Sequence, residues 1–400
     1  MDRSAKFAII VGGGIGGLTS ALALARQGWT CHVIEAAAEF REVGAGLQLS
    51  PNAMKVLRAL GLEDAIRAVS FEPEALELRL GRSGREVFRI PAGAAAETRW
   101  GAPYLHIHRA DLLGVLAEAA QSHPDIGISL GARITHYDHG GDGAIVYTQA
   151  GEPLTANLVI GADGLHSTIR EQMLGPDSPR YTGNIAWRMV VPVAHLDRPP
   201  PPTACVWAGK NRHAVTYFLR RGALVNFVGV VEQAEPMSES WSETGSKAEA
   251  LADFAGWDST LTEIINKAET HFRWALYDRP ALSRWTDGRA TLLGDACHPM
   301  LPFQAQGAAM AIEDAWVLAA CLDGAASIED GLSAYQGGRL ARTARMQAAS
   351  RGNMGVFHRS APLSQLSTYG PMWLAGRMMP GLVRSRLDWI YGHDVTATDR

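Results

Sequence analysis

The stretch Phe7–Ala25 reads FAIIVGGGIGGLTSALALA, uncharged throughout and apolar but for Thr19 and Ser20, with Lys6 in front of it. It is long enough to cross a bilayer or to pass for a signal peptide. Five of the six positions Gly12–Gly17 are glycine, and each costs about 1 kcal/mol against alanine inside a helix. The run therefore breaks into strand, turn and helix. The pattern predicts a strand over Lys6–Val11, a helix over Leu18–Gln27 stopped at Gly28, and a second strand over Trp29–Glu35, which together make a parallel βαβ unit.

Downstream, Asn52–Leu60 and Asp111–Ala120 carry amphipathic helical spacing, while Ala75–Ile90 alternates as antiparallel strands do. Asn157–Ile160 reads as a buried strand ending in GADG. From Tyr181 to His271 the texture is β-rich, with AWRMVVPV, RHAVTYFL and ALVNFVGVV broken by Pro199–Pro202 and the polar Glu235–Lys247. Helix-and-strand texture returns at Arg289, where the apolar ATLL leads into GDACHPMLPFQAQGAAMAIEDA and then a helix. Beyond Ser333 the chain is Arg-rich and helical in pattern to about Ser350.

These elements predict an α/β protein: a Rossmann-like nucleotide-binding domain, an inserted β-sheet substrate domain, and a C-terminal helical segment. The expected partition gives residues 1–74, 99–180 and 285–330 to the nucleotide-binding domain. Residues 75–98 and 181–284 form the substrate domain, and 331–400 the helical end.

With 400 residues, 47% hydrophobic and 20% charged, the chain can bury a large core. A formal charge of -4, without a basic run interleaved with aromatics, argues against nucleic acid. The glycine-broken run argues against an integral membrane segment. Cys31, Cys205, Cys297 and Cys321 lie far apart with neither CxxC nor zinc spacing, which points to buried thiols, a reducing cytoplasmic setting and no metal.

Gly12, Gly14 and Gly17 form G-x-G-x-x-G, and Glu35 ends the next strand 18 residues later. Glycine serves a tight turn, close approach of backbone to a pyrophosphate, and helix-on-strand packing, with the helix N-terminus meeting the anion. An acid at Glu35 suits a ribose hydroxyl pair. The fingerprint alone does not separate NAD from FAD.

GADGLHSTIR (Gly161–Arg170) and GDACHP (Gly294–Pro299) each follow a strand of their own. With the N-terminal fingerprint, GAGLQLSPNAMKVLRALGL and YLHIHRADL, they make the chain, over roughly residues 5–350, resemble the single-component FAD-dependent aromatic hydroxylases. Relatives of that family include salicylate hydroxylase, 3-hydroxybenzoate 6-hydroxylase and 6-hydroxynicotinate 3-monooxygenase. The resemblance implies FAD as cofactor and NAD(P)H as a transient co-substrate. Hydride reduces the flavin, O2 adds to give a C4a-hydroperoxide, and its distal oxygen attacks an electron-rich ring carbon of a small phenolic or hydroxylated heteroaromatic acid. It leaves a homodimer open. A relative acting on a larger polyketide or quinone ring, and a flavin-binding protein without hydroxylase activity, also stay open at this stage.

The same resemblance assigns cofactor contacts to Gly12, Gly14, Gly17, Glu35, Ala36, Gln48, Arg109, Ile134, Asp163, Asp295, Gln306, Gly307 and Ala308, with Arg41 and Arg170 as weaker candidates. Asp163 would lie near the pyrophosphate, and Asp295 would be a buried carboxylate accepting from the ribityl hydroxyls. A helix starting near Gly307 would aim its free N–H groups at the pyrimidine edge of the flavin. His298 reads as a supporting histidine rather than a proton carrier.

For the substrate, His213 and Tyr217 share one strand face, about 13 Å apart on an ideal strand. Both positions match catalytic or substrate-contacting residues of the 6-hydroxynicotinate and 3-hydroxybenzoate enzymes, so the resemblance implies His213 as base or phenol partner and Tyr217 as orienter, and the spacing suits a grip on opposite parts of one ring. Arg188, Arg212 or Arg220 could meet a substrate carboxylate, and Tyr104 could line the pocket. Three departures from the relatives put the substrate in doubt: Gln48 and Phe303 replace histidines of 6-hydroxynicotinate enzymes, and Pro302 replaces a glutamine of 3-hydroxybenzoate hydroxylases.

Overall fold

In the computed structural model, residues 6–40, 46–141, 143–151, 153–236, 243–359 and 362–397 are described. Two sheets organise them. The first has six strands in the spatial order Thr286–Asp287, Ala290–Leu292, Leu158–Gly161, Phe7–Val11, Thr30–Ile34 and Ile126–Ser129, all parallel except the first. Its central strands are near-continuous apolar runs, as expected where helices cover both faces; Ala8, Ile9, Ile10, Leu158, Val159 and Ile160 are fully buried.

The glycine turn is tighter than the sequence suggests. The helix begins at Ile15, not Leu18, and runs Ile15–Arg26. The reason lies at the strand end: a Cβ on Gly17 would sit 1.9 Å from the Gly12 carbonyl oxygen, and Gly12 itself adopts φ +107°. Only glycine lets the first helical turn close directly onto the strand.

The second sheet has seven strands in the order Phe272–Asp278, Arg180–Pro192, Leu224–Glu232, Arg212–Leu219, Ala204–Gly209, Ala75–Leu80 and Glu86–Pro91. The early hairpin therefore joins the later β-rich block, entering parallel to Ala204–Gly209. Trp187, Phe227, Cys205 and Trp207 line one face of this sheet.

That face is covered by two helices absent from the β-rich reading, Lys247–Asp253 and Ser259–Lys267. The first starts from a capping box between Ser246 and Glu249, and their apolar sides bury Ala250, Leu261, Ile264 and Ile265. A sheet this large and apolar must be covered on its outer face. The tail is helical, as expected over 331–400. The Ile328–Phe357 helix spans 30 residues, followed by Pro362–Met378, Pro380–Ser385 and Asp388–Tyr391. Among the described residues, no helix is long and apolar enough to cross a membrane.

Candidate functional site

The three loops singled out in the sequence leave the carboxyl ends of three adjacent parallel strands. Val11 pairs with Gly161, and Gly161 with Leu292. Ala162 N donates to Val11 O at 2.8 Å and Leu293 N to Gly161 O at 3.0 Å, so the glycine turn, GADG and GDACHP start side by side. In open α/β sheets that edge is where ligands bind.

At the first loop, Glu35 accepts from Gly13 N at 2.7 Å and from Ala37 N at 2.7 Å. Its carboxylate is thereby fixed at the end of the second strand beside the glycines. Ala36 is exposed next to it. Ile134 is buried and lies two residues beyond Ala132, whose N–H bonds Glu35 O at 2.9 Å. Nothing lies within 4 Å of the Cβ position of Gly14, at the N-cap of the helix. Arg41 lies outside the described residues.

Asp163 lies beside the glycine turn, its Cα 3.0 Å from the Cβ position of Gly12, but its carboxylate is already engaged. Its carboxylate accepts from Ser167 Oγ at 2.5 Å, Thr168 N at 2.8 Å and Ile169 N at 3.3 Å. Burial pushes it up, against the pull of those donors. The side chain is consumed in capping the Thr168–Leu174 helix, because a short helix start in a buried corner leaves amides that need an acceptor. Arg170 is likewise internal, donating to Leu165 O, Ala296 O and Asp177. It ties the second loop to the third.

The 17-residue helix Gly307–Asp323 begins at the third loop with no acidic residue in its first turn. Gly307 and Ala308, both half-buried, present its first N–H groups. Gln306 does not point the same way. Its Nε2 donates to Ser50 Oγ at 2.9 Å and its Oε1 accepts from Asn52 at 3.1 Å, so its side chain is spent on the Pro51–Ala59 helix. Asp295 is exposed, not buried. Arg109 faces it: burial lowers the Arg109 guanidinium and the Asp295 charge offsets part of that. His298 is buried, with Nε2 2.5 Å from Asp314 Oδ2, which makes it a strut inside the fold.

The second face of the seven-stranded sheet meets the third loop. Arg188 and Val215 both pair with Val228, and Tyr217 and His213 flank Val215, so Arg188, His213 and Tyr217 share that face. Leu301 and Phe303 of the third loop pack onto it with Ala186 and Val230.

Tyr217 is buried against His106, ring centroids 4.8 Å apart, and a Cβ on Gly46 would meet its ring at 2.4 Å. Burial pushes its phenol up to about 12, against the pull of the nearby Arg188 charge. It therefore stays a neutral donor. His213 sits farther along, its ring 5.3 Å from Phe303 and 5.1 Å from Phe357.

Of the three arginines weighed for a carboxylate, only Arg188 faces this region. Arg220 pairs with Asp111 at 2.8 Å, and Arg212 donates to the Asp253 carbonyl. Burial pushes Arg188 down to about 10, eased by Tyr217 and deepened by the Arg109 charge. The guanidinium lies 4.2 Å over the Trp274 ring. Its Nε is buried and has no hydrogen-bond partner among the described residues, the situation in which an incoming anion gains most. Gln48 accepts from Tyr104 Oη at 2.7 Å, and both border the Tyr217 side.

The sequence reading missed the residues behind these: Ser50, Asn52, Glu313, Asp314, Arg339, Arg342, Glu232 and His358. Ser50–Pro51–Asn52 has the form of a helix cap, but nothing in a lone sequence pairs it with Glu313.

The donor set fits a flavin dinucleotide. The glycine corner offers room and an amide edge for a diphosphate, Glu35 is fixed beside it at the end of the second strand, and Arg109 with Asp295 flanks the start of an amide-rich helix. The family described as "FAD binding domain" matches residues 6–350. The chain is similar to 3-amino-4-hydroxybenzoate 2-monooxygenase of Streptomyces platensis, 39% identical over 96% of this chain and 95% of that protein. It is also similar to 6-hydroxynicotinate 3-monooxygenase of Pseudomonas fluorescens, 38% identical over 88% and 92%, and to 3-hydroxybenzoate 6-hydroxylase of Klebsiella oxytoca, 36% over 96% and 96%. Among solved structures, Klebsiella pneumoniae HpxO complexed with FAD and uric acid superposes with a TM-score of 0.83 at 26% identity, covering 96% of this chain and 97% of that one.

Proposed function

The chain belongs to the FAD binding domain family, and from that premise we propose that it is an FAD-dependent monooxygenase that uses NAD(P)H and O2 to hydroxylate a small aromatic acid bearing a ring hydroxyl. The relatives named above act on 3-amino-4-hydroxybenzoate, 6-hydroxynicotinate and 3-hydroxybenzoate. Those compounds share a flat ring, a carboxylate and a hydroxyl. The observation that carries the reading is the shared sheet face, where a half-buried cation, Arg188, lies beside a neutral phenol, Tyr217, with an imidazole, His213, four residues along the same strand.

When bound, FAD supplies hydride acceptance and the activation of O2. Gly12, Gly14, Gly17 and Glu35 hold its nucleotide half, with Ala36 and Ile134 beside them. Arg109, Asp295 and the amides of Gly307 and Ala308 meet the other half, where positive helix ends favour negative charge. Arg188 takes the substrate carboxylate, Tyr217 donates to and orients the ring, and His213 accepts the phenolic proton, which makes the ring a stronger nucleophile. Gln48 and Tyr104 close one side of the pocket. The four free cysteines suit a cytoplasmic protein, and a homodimer remains part of the reading.

The test is a yellow, FAD-loaded preparation assayed for NADH and NADPH oxidation with each of the three acids. Stimulated oxidation with a product heavier by one oxygen supports the proposal. Oxidation that yields only hydrogen peroxide with every acid overturns it.

A further inference from the structure

His213 is buried at 1% exposure, so a proton it takes from a phenol has no direct route to water. A buried imidazolium is also costly. Burial holds His213 well below its usual range and the neighbouring His358 lowers it further. A base that must accept a proton without keeping the charge needs somewhere to pass it.

The structure supplies that outlet. His213 Nδ1 lies 2.7 Å from His358 Nε2, and His358 Nδ1 lies 3.1 Å from Glu232 Oε1. His358 is 7% exposed, at the C-terminal cap of the Ile328–Phe357 helix. Glu232 ends the Leu224–Glu232 strand with its side chain 44% exposed. Three elements remote in sequence thus form one file from the pocket face of the sheet to the surface. The groups facing His358 are His213, Glu232 and Arg212, whose positive charge also lowers it.

The donor and acceptor roles follow from the end of the file. A carboxylate can only accept, so His358 Nδ1 carries a proton and donates it to Glu232. Neutral His358 then has a lone pair on Nε2, which must accept from His213 Nδ1–H. Neutral His213 is left with its lone pair on Nε2. The surface carboxylate thereby selects the tautomer of a histidine two residues inward.

We propose that His358 and Glu232 are positioning residues that form, with His213, a proton relay carrying the phenolic proton of the substrate from the buried pocket to water. The O–H bond of the phenol breaks and a bond to His213 Nε2 forms. The Nδ1 proton of His213 moves to His358 Nε2, the Nδ1 proton of His358 moves to Glu232, and Glu232 releases a proton to solvent. No electrons change hands, and neither histidine accumulates charge. Run backwards, the same file returns the proton at product release and resets both tautomers.

This rests on His213 being the base, so the test separates the two ideas. The probes are 3-hydroxybenzoate and 6-hydroxynicotinate at saturation with FAD-loaded enzyme, with the single-turnover hydroxylation rate followed against pH. His358→Gln keeps an acceptor for His213 but cannot pass a proton on. It is expected to lower the rate about tenfold near neutral pH, less than the roughly hundredfold or more that a group acting directly on the substrate contributes. KM and flavin content are expected unchanged, and the rate is expected to recover as pH approaches the range where the phenol ionises by itself.

Glu232→Gln, at an exposed strand end outside the core, is expected to shift the pH profile in the same direction by a smaller factor. His213→Gln loses the rate in either case if the base assignment is correct. Wild-type rates and pH profiles in both His358→Gln and Glu232→Gln, with His213→Gln impaired, overturn the relay alone. A wild-type profile in His213→Gln overturns the base assignment as well. If His358→Gln fails to load FAD, the profile of Glu232→Gln decides.

Discussion

Arg339 Nε donates to Asp314 Oδ1 at 2.7 Å, with both side chains essentially inaccessible to solvent. The other Asp314 oxygen takes His298 of the third loop, and Arg339 also reaches Glu313, which accepts from Asn52 at 2.7 Å. One arginine of the long C-terminal helix therefore braces the Gly307–Asp323 helix, the loop that precedes it and the Pro51–Ala59 helix. Burial pushes Asp314 up, but His298 and Arg339 outweigh it and hold it below the usual carboxylate range.

Removing one member of such a file leaves an unpaired buried charge. Arg339→Met is expected to cost about 3–5 kcal/mol of stability, read from urea denaturation of the FAD-free protein. The proposed flavin site should loosen with it. A loss under about 1 kcal/mol would mean that the pair is not the brace its geometry implies.

Gly17→Ala places a methyl group against the Gly12 carbonyl. The helix must move off the strand, and the purified protein is expected to be colourless, with FAD affinity lowered at least about tenfold. Titration of the apoprotein with FAD measures this. Retention of normal affinity would show that the diphosphate does not sit on this corner.

Arg188 separates recognition from chemistry. Arg188→Met is expected to raise KM for 3-hydroxybenzoate by about tenfold to a hundredfold, the worth of a charge-assisted hydrogen bond in a buried site. The same substitution should scarcely affect a phenol that lacks a carboxylate. Equal effects on both ligands would remove Arg188 from carboxylate recognition.

Stability should fall in mild acid, and His106 contributes. It is buried beside Tyr217, and burial pushes it down to about 3. The folded form keeps it neutral while the unfolded chain takes up a proton below about pH 6.5. Its contribution is thus complete above that pH and shrinks as the pH drops toward 3, by at most about 1.4 kcal/mol per pH unit. Buried His213 acts in the same direction. His106→Phe should flatten the slope of unfolding free energy between pH 7 and pH 5, and an unchanged slope would refute the assignment.

Much of the molecule was legible from local pattern. The βαβ start, the later strand–turn motifs and the β-rich middle follow from apolar periodicity and glycine placement, which act over a few residues. So does the shared face of His213 and Tyr217, because period-two alternation holds on any strand. The helices at Lys247–Asp253 and Ser259–Lys267 were missed although the Ser246–Glu249 box announces the first of them. There the strand texture on both sides dominated the reading.

What a side chain does depends on what comes to meet it, and that is where reading along the chain ran out. Asp163 and Gln306 sit where expected, yet their polar atoms are taken by Ser167, Ser50 and Asn52. Arg188, Arg212 and Arg220 looked equivalent until neighbours at Asp253 and Asp111 removed two of them. Sequence by itself determined the nucleotide-binding architecture, since glycine turns and apolar runs are local consequences of backbone sterics and burial. Only tertiary structure decided that His358 meets His213 across 145 positions and that Arg339 reaches Asp314, because pairings between distant segments are set by how whole sheets and helices pack.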